Sequence, residues 1–398
     1  MATDPDDPVT LADSAVPVDE LMALLRALGV PPSEIERADQ DGTLVLLAID
    51  RLALGQELRH DLTAASELTG LSQDDVRHIW RSLGFPDPPP GEPIFAEEDV
   101  KNLRAVAELI EAGVVSPEVT LGMTRVVGSS MARVASAIVD AVSAQRPDEI
   151  LRKGDVDDSA MPYRAGGFLP MFPAILEQVW RRHLQAAARR RLLRGDIEGG
   201  PGLVVGFADL VGFTAMAQQV SDEELAGVVE QFERLAYDVV VAAGGRVVKM
   251  IGDEVLFVVD DPVVAAEIAL GIADASRDAA ELSDVRVGLA VGPVLEREGD
   301  IFGTTVNLAS RATGIAYPGT VVVSPELREL LEGEPAYAFR SMRARSLKHI
   351  GRVALSVLRR ADDAPSTIRE TIDERRHQMR EMLRERFTLG DDEGGTSP

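Results

Sequence analysis

The 398-residue chain contains no cysteine. Disulfide scaffolds, thiolate zinc sites and cysteine nucleophiles are thereby excluded. No apolar run approaches the roughly 18–20 residues that a membrane-spanning helix requires, so no membrane span is expected. The opening MATDPDDPVT is acidic and lacks the apolar segment of a secretory signal, which makes a cytoplasmic location the expectation. Basic charge is scarce too: 41 Lys and Arg stand against 66 Asp and Glu, a formal net charge of −25. Such a surface repels nucleic acid and anionic lipid, so an anionic ligand has to be drawn in by local cations or bound metal. Only five histidines, His60, His78, His183, His349 and His377, can change charge near neutral pH. β-type patterning is missing before residue 200.

What is present is an ordinary globular composition, 45% hydrophobic and 27% charged, at a length that suits two or three domains. Residues 1–17 are Pro/Asp-rich and are expected to form a disordered leader. An all-α regulatory domain is expected over 18–165. Its first helix carries Leu21, Leu24, Leu25 and Leu28 at i, i+3, i+4, i+7 and closes at Gly29. Residues 61–85 give a helix, a turn at Gly70 and a second helix capped by Ser72, a helix-turn-helix-like segment. That second helix opens with Asp74 and Asp75 and offers only Arg77, His78 and Arg81 as cations. A nucleic-acid-reading helix sits in a basic surface, so a structural hairpin is expected here, with Ile79, Trp80, Leu83 and Phe85 in its core and no nucleic acid as partner. Further helices are expected at 97–112 and 119–142, the latter interrupted at Gly128-Ser129-Ser130.

Residues 166–202 read as a connector. Phe168, Met171, Phe172, Ile175, Leu176, Val179 and Trp180 form an apolar stripe, followed by a basic run at 181–194 and the Gly-rich GDIEGGPG. A solvated connecting helix, a signalling helix, or a helix attached to a membrane surface through its arginines fits this pattern. At the other end, 361–398 is expected to hold an amphipathic helix at 366–387 and an acidic, disordered tail.

The chemistry concentrates in two stretches, VVGFADLVGFT and VVKMIGDEVLF. Asp209 ends the first apolar run, and Asp253 sits in an X-Gly-Asp turn between two others, which reads as a hairpin. If that hairpin lies beside the strand ending at Asp209, two carboxylates meet at one sheet edge. Oxygen donors of this kind suit Mg²⁺ or Mn²⁺. The N–H groups of Gly212, Phe213 and Thr214 open a helical pattern and can receive phosphates. Over 203–360 the expected order is β-α-β-β-α-β, a ferredoxin-like core, so the whole chain is expected to be α+β. In the helix at 306–316, Asn307 and Arg311 stand at i and i+4, on one face.

The blocks FADLVGFT, KMIGDEV and GDIFGTTVNLASR resemble the three signature blocks of the class III nucleotidyl cyclases, in that family's order and spacing, across roughly 203–358. The resemblance implies an adenylate cyclase, a lyase converting ATP to 3′,5′-cyclic AMP and pyrophosphate. It implies two divalent cations, Mg²⁺ or Mn²⁺, held by Asp209, Asp253 and the carbonyl of Leu210. Lys249 and Asp300 stand at the family positions that read the base. Adenine presents an N1 acceptor and an N6 donor, so one cation and one carboxylate favour ATP over GTP. Asn307 would orient the ribose, Arg311 would stabilise charge at the α-phosphate, and Lys348 in SLKHIG would contact the terminal phosphates. Because the family draws its metal residues and its base and transition-state residues from opposite subunits, a homodimer with two shared sites is implied. A guanylate cyclase, or a catalytically weak or inactive nucleotide-binding regulator, is the alternative. The helical first half and connector resemble the mycobacterial-type soluble cyclases, which implies autoinhibition and pH sensing, with His183 in the connector itself.

Overall fold

A computed structural model describes residues 18–55, 57–143, 171–194, 202–279, 282–348 and 350–363. The leader, the segment at 144–170 that includes Phe168, the Gly-rich linker at 195–201 and the C-terminal helix expected at 366–387 lie outside the described residues. The chain divides into two compact units, Met1–Asp196 and Ile197–Pro398.

The first unit is helical: α1 (Val18–Ala27), α2 (Pro32–Gln40), α3 (Leu44–Leu54), α4 (Leu62–Thr69), α5 (Gln73–Ser82), α6 (Glu97–Glu111), α7 (Pro117–Ser143) and α8 (Phe172–Arg194). Leu21, Leu25, Ile35, Leu44 and Ala48 of α1–α3 bury one small core, and Leu62, Val76, Ile79, Phe95, Val100 and Leu103 bury another around α4–α6. The helix-turn-helix-like pair forms as its caps dictate. Asp61 accepts from the Ala64 N–H, Gly70 ends α4 in the left-handed region, and Ser72 accepts from the Asp75 N–H. Phe85, expected in the core, is instead exposed. It follows Gly84 past the end of α5, where the chain turns at φ +95°, and stacks on Trp80 at 4.5 Å between ring centroids.

The interruption expected at Gly128 does not occur, and α7 runs unbroken from Pro117 to Ser143. A Cβ at residue 128 would lie 2.4 Å from the Leu83 carbonyl oxygen. The glycine serves close approach between helices, not a break. No helix among the described residues is long and apolar enough to cross a membrane.

The second unit contains β1 (Leu203–Leu210), α9 (Phe213–Met216), α10 (Asp222–Ala242), β2 (Arg246–Ile251), β3 (Glu254–Val259), α11 (Pro262–Asp278), β4 (Val285–Gly292), β5 (Leu295–Arg297), β6 (Asp300–Phe302), α12 (Thr304–Ile315), β7 (Val321–Val323), α13 (Pro325–Leu331), β8 (Tyr337–Ser341), β9 (Arg345–Leu347), β10 (Gly351–Val353) and β11 (Ser356–Arg360). The main sheet runs β2-β3-β1-β4-β7-β11-β8. Its first four strands are the expected βαββαβ core, with β1 antiparallel to both β3 and β4. Three more strands extend it, beginning with the parallel β4–β7 pair, and the hairpins β5–β6 and β9–β10 stand apart from it.

β1 is buried on both faces. Val204, Ala208 and Leu210 pack with α10 and α11, while Leu203, Val205 and Phe207 pack with Ile301 and with Ala309 of α12. That two-sided burial explains its unbroken apolar run. α12 meets β4 at Gly288, where a Cβ would fall 2.2 Å from the Thr313 nitrogen and 2.5 Å from the Ala309 oxygen. On the far side, the Tyr337 hydroxyl donates to Glu267 Oε1 at 2.7 Å and Arg360 Nη1 donates to Oε2 at 2.8 Å.

Two outcomes follow from this packing. Gly288→Ala forces α12 off the sheet and should cost about 1–3 kcal/mol, as overpacking does; thermal unfolding reads it as a lower Tm, and an unchanged Tm would refute the contact. Burial pushes the Glu267 carboxyl up, but hydrogen bonds from Arg360 and Tyr337 outweigh it and hold the group below its ordinary 4.5. The stability it contributes is present above that value and is lost as pH falls through the lowered folded pKa. Glu267→Gln should therefore flatten the decline of Tm below about pH 4.5, whereas parallel curves for the two proteins would remove this contact from the acid response.

Candidate active site

The end of β1 is tied to the β2–β3 turn by the Leu210 N–H, which donates to the Asp253 carbonyl at 3.1 Å. Gly252 makes that turn at φ +63°. Strand register sets Asp209 opposite Glu254 on β3 and opposite Arg286 on β4. Arg286 Nε donates to Asp209 Oδ2 at 2.6 Å, and the Asp209 side chain is only 13% exposed. Asp253, whose carbonyl accepts the bond from Leu210, brings a second carboxylate to the same edge.

Burial pushes the Asp253 carboxyl up, and the charge of Asp209 adds to the effect. Glu254 is pushed up to about 7, by burial first and then by Asp209 and Asp253, with Arg286 opposing. Asp209 pairs with the one guanidinium, and Asp253 and Glu254 add negative charge nearby. A cluster so arranged has room for more positive charge.

The donor set fits a hard divalent cation. Asp209 and Asp253 supply carboxylate oxygens, and the polar backbone groups of Leu210 face the same turn. Among the described residues no three His, Cys, Asp or Glu side chains come together to hold an ion unaided. Mg²⁺ and Mn²⁺ are commonly bound in just this way, by one or two carboxylates with the remaining ligands from water and substrate phosphates.

Next to this edge Gly212 starts α9 at φ +79°. The N–H groups of Ala215 and Met216 return to the Gly212 carbonyl, so those of Gly212, Phe213 and Thr214 form the leading edge of the turn. Phe213 is anchored against the core, while Thr214 is exposed.

Lys249 follows a bulge in β2 between Val247 and Lys249. Its Nζ reaches Asp300 Oδ2 at 2.5 Å, and Arg246 joins Glu296 at 3.3 Å beside it, so β2 is stitched to the β5–β6 hairpin twice. Burial pushes Asp300 up, but the hydrogen bonds from Lys249 and the Ile301 N–H outweigh it and keep the carboxyl below its ordinary value. Asn307 and Arg311 project from the exposed side of α12, while Ala309 and Ala312 on its other side are fully buried. Lys348 is exposed at the β9–β10 turn.

The structure thus assembles Asp209, Leu210 and Asp253 at one sheet edge, pairs Lys249 with Asp300, and places Asn307 and Arg311 together on α12. No hydrogen bond or ion pair among the described residues joins these three groups to one another or to Lys348. Sequence patterning missed Arg286 and Glu254. The signal was a lone arginine near the start of the apolar run VRVGLAV, where a cation needs a partner.

A two-carboxylate sheet edge beside the start of a helical turn is a donor arrangement of the kind that phosphoryl chemistry uses. The family model described as Adenylate and Guanylate cyclase catalytic domain matches residues 201–358. Over 306 residues the chain is 38% identical to an adenylate cyclase of Streptomyces coelicolor, spanning 76% of this chain and 79% of that one. An adenylate cyclase of Glutamicibacter nicotianae is 30% identical over 85% of this chain and 89% of its own length. A pH-sensitive adenylate cyclase of Mycobacterium tuberculosis is 28% identical over 79% and 80%. Among solved structures, the adenylyl cyclase CyaB of P. aeruginosa is 20% identical with a TM-score of 0.36, covering 41% of this chain and 95% of that chain. The chain belongs to the adenylate and guanylate cyclase catalytic domain family, the class III nucleotidyl cyclases, and is an enzyme of that family.

If the crowded carboxylates receive the cations, Mn²⁺ should raise the Tm of the protein without nucleotide. Binding to the folded state alone gives about 2.7 kcal/mol at a hundredfold excess over Kd. Asp209→Asn and Asp253→Asn should each abolish the rise. A Mn²⁺ effect of full size in both variants would place the ion elsewhere.

Proposed function

We propose that the chain is an adenylate cyclase that converts ATP to 3′,5′-cyclic AMP and pyrophosphate at two equivalent sites shared across a homodimer. The observation that carries the substrate choice is the Lys249–Asp300 pair, one cation and one carboxylate held at 2.5 Å. Together they match the acceptor N1 and donor N6 of adenine. Guanine presents N1 as a donor and O6 as an acceptor, and would set the lysine against a donor.

Asp209, Asp253 and the Leu210 carbonyl would hold two Mg²⁺ or Mn²⁺ ions. Such ions lower the pKa of the ribose 3′-hydroxyl and neutralise the departing pyrophosphate. Leading N–H groups at Gly212, Phe213 and Thr214 receive phosphate oxygens, as amides at a helix start do. Asn307 orients the ribose so that O3′ lies in line with the α-phosphate. One turn along α12, Arg311 meets the charge that develops on the α-phosphate oxygens, a multi-oxygen target for which a guanidinium is better shaped than an ammonium. Lys348 contacts the terminal phosphates. The family's drawing of these two residue sets from opposite subunits supports the sharing of each site between two subunits. Each subunit would give its metal edge to one site and its base and ribose face to the other.

The N-terminal helical unit is proposed to restrain the catalytic unit and to respond to pH through α8, whose His183 is exposed. Similarity to the pH-sensitive mycobacterial enzyme along 79% of this chain supports that assignment.

Purified protein with ATP and Mn²⁺ should yield cyclic AMP and pyrophosphate, resolved by ion-exchange chromatography, and GTP should yield far less cyclic product. Arg311→Ala should lower kcat on the order of 10²–10³, the usual effect of losing one electrostatic group at the transition state. Mixing Asp253→Asn protein with Arg311→Ala protein should restore activity, because a mixed dimer retains one intact site. Equal turnover of GTP would refute the assignment of the Lys249–Asp300 pair, and no rescue on mixing would refute shared sites.

A further inference from the structure

Charge in the catalytic unit is sharply segregated along the chain. Residues 203–334 carry 23 acidic against 8 basic side chains, whereas residues 335–360 carry seven basic and none acidic. Of those seven, Arg360 is spent on Glu267 and Asp274, and Arg359 is half-buried. The other five, Arg340, Arg343, Arg345, Lys348 and Arg352, are exposed and form no hydrogen bond or ion pair among the described residues. Six of the eight cations in the earlier stretch behave otherwise, Arg234 and Arg311 being the exceptions. Arg246, Lys249, Arg277, Arg286, Arg297 and Arg328 each have a carboxylate partner.

Free arginines in a chain with net charge −25 have carboxylates in plenty to pair with, so a cluster left unpaired calls for another anion. The cluster's position indicates which one. Leu347, Ile350 and Val353 of the β9–β10 hairpin belong to one apolar cluster with Leu308, Ala312, Ile315 and Ala316. The hairpin thereby shares a core with α12, the helix that carries Asn307 and Arg311. Strand register sets Arg345 opposite Val353 and Arg352 opposite Ser346, one step apart, so the two arginines leave the hairpin on opposite faces. Both cannot grip one phosphate, but both add to one field.

We propose that Arg343, Arg345 and Arg352 form an electrostatic collector for polyphosphate, drawing the nucleotide's triphosphate out of the bulk toward α12 past an otherwise acidic surface. The inference rests on the cyclase activity proposed above and adds to it residues that act before any contact with the bound substrate. They are positioning residues, working at a range set by a Debye length of about 8 Å at physiological ionic strength. Steering of this kind raises capture of a charged ligand by about 10- to 10³-fold and fades steeply with salt.

The test uses the full chain with ATP and Mn²⁺ from about 50 to about 400 mM KCl, a span that shortens the Debye length more than twofold. For the wild type, kcat/KM should fall on the order of tenfold across the series. In the triple variant Arg343→Gln, Arg345→Gln, Arg352→Gln it should start at that low value and change less than about threefold, with kcat at saturating ATP within about twofold of wild type. A triple Arg→Lys variant should recover the wild-type salt slope, because the field depends on charge and not on guanidinium shape. Parallel slopes in the wild type and the Gln variant would overturn the proposal, as would a Lys variant that behaves like the Gln one. Titration with inorganic tripolyphosphate, which needs no turnover, separates the two ideas. Tighter, salt-sensitive binding by the wild type than by the Gln variant upholds the collector even if no cyclic nucleotide forms. Equal binding sinks the collector even if the enzyme is active.

Discussion

The 3.1 Å hydrogen bond from Leu210 to the Asp253 carbonyl holds the end of β1 against the β2–β3 turn, and it does so against electrostatic repulsion. Asp209 and Asp253 are brought together in a partly buried place with Glu254 beside them and Arg286 as their one guanidinium partner. Carboxylates in water would drift apart. Backbone pairing on both sides of β1 denies them that choice, because every residue from Val204 to Asp209 is registered to β3 and to β4 at once. The affinity for cations proposed for this edge is therefore a property of sheet hydrogen bonding as much as of the two side chains.

A second constraint works from the opposite face. α12 lies close on Gly288, which faces main-chain atoms of Ala309 and Thr313 and the Thr313 hydroxyl, and Leu347, Ile350 and Val353 of the β9–β10 hairpin share an apolar cluster with the helix. Sheet and hairpin thus fix one short helix from two directions. Arg286 adds a link of a different kind. Its ion pair with Asp209 offsets part of the negative charge gathered at this edge.

The sequence shows the βαββαβ core because each of its strands is a long apolar run bounded by turn residues, with Gly252 at the sharpest bend. It does not show β7, β8 and β11. Those strands are three to five residues long and derive their pairing from partners far away in the chain, information that no local period carries. Gly128 misleads because glycine has two physical uses, as a breaker and as a gap for a neighbouring backbone, and only the neighbour at Leu83 decides between them. Phe85 misleads in the opposite sense, since its apolar character is satisfied by stacking on Trp80 without burial. Among the site residues, the Lys249–Asp300 pair follows from chemistry and resemblance alone. Arg286 does not, because an arginine inside a buried strand becomes meaningful only when register sets it opposite Asp209.

The contact at Gly288 also bears on how freely the domain can evolve. Where two elements meet through side chains, a change on one can be absorbed by a rotamer on the other, and the spacing between them drifts with the sequence. Here the spacing is set by main-chain atoms of Ala309 and Thr313, with the Thr313 hydroxyl, against a bare Cα. Mutations elsewhere on β4 can accumulate while the height of α12 above the sheet stays where the peptide backbone sets it. The exposed face of that helix, with Asn307 and Arg311 on it, stands at a height that this close contact sets.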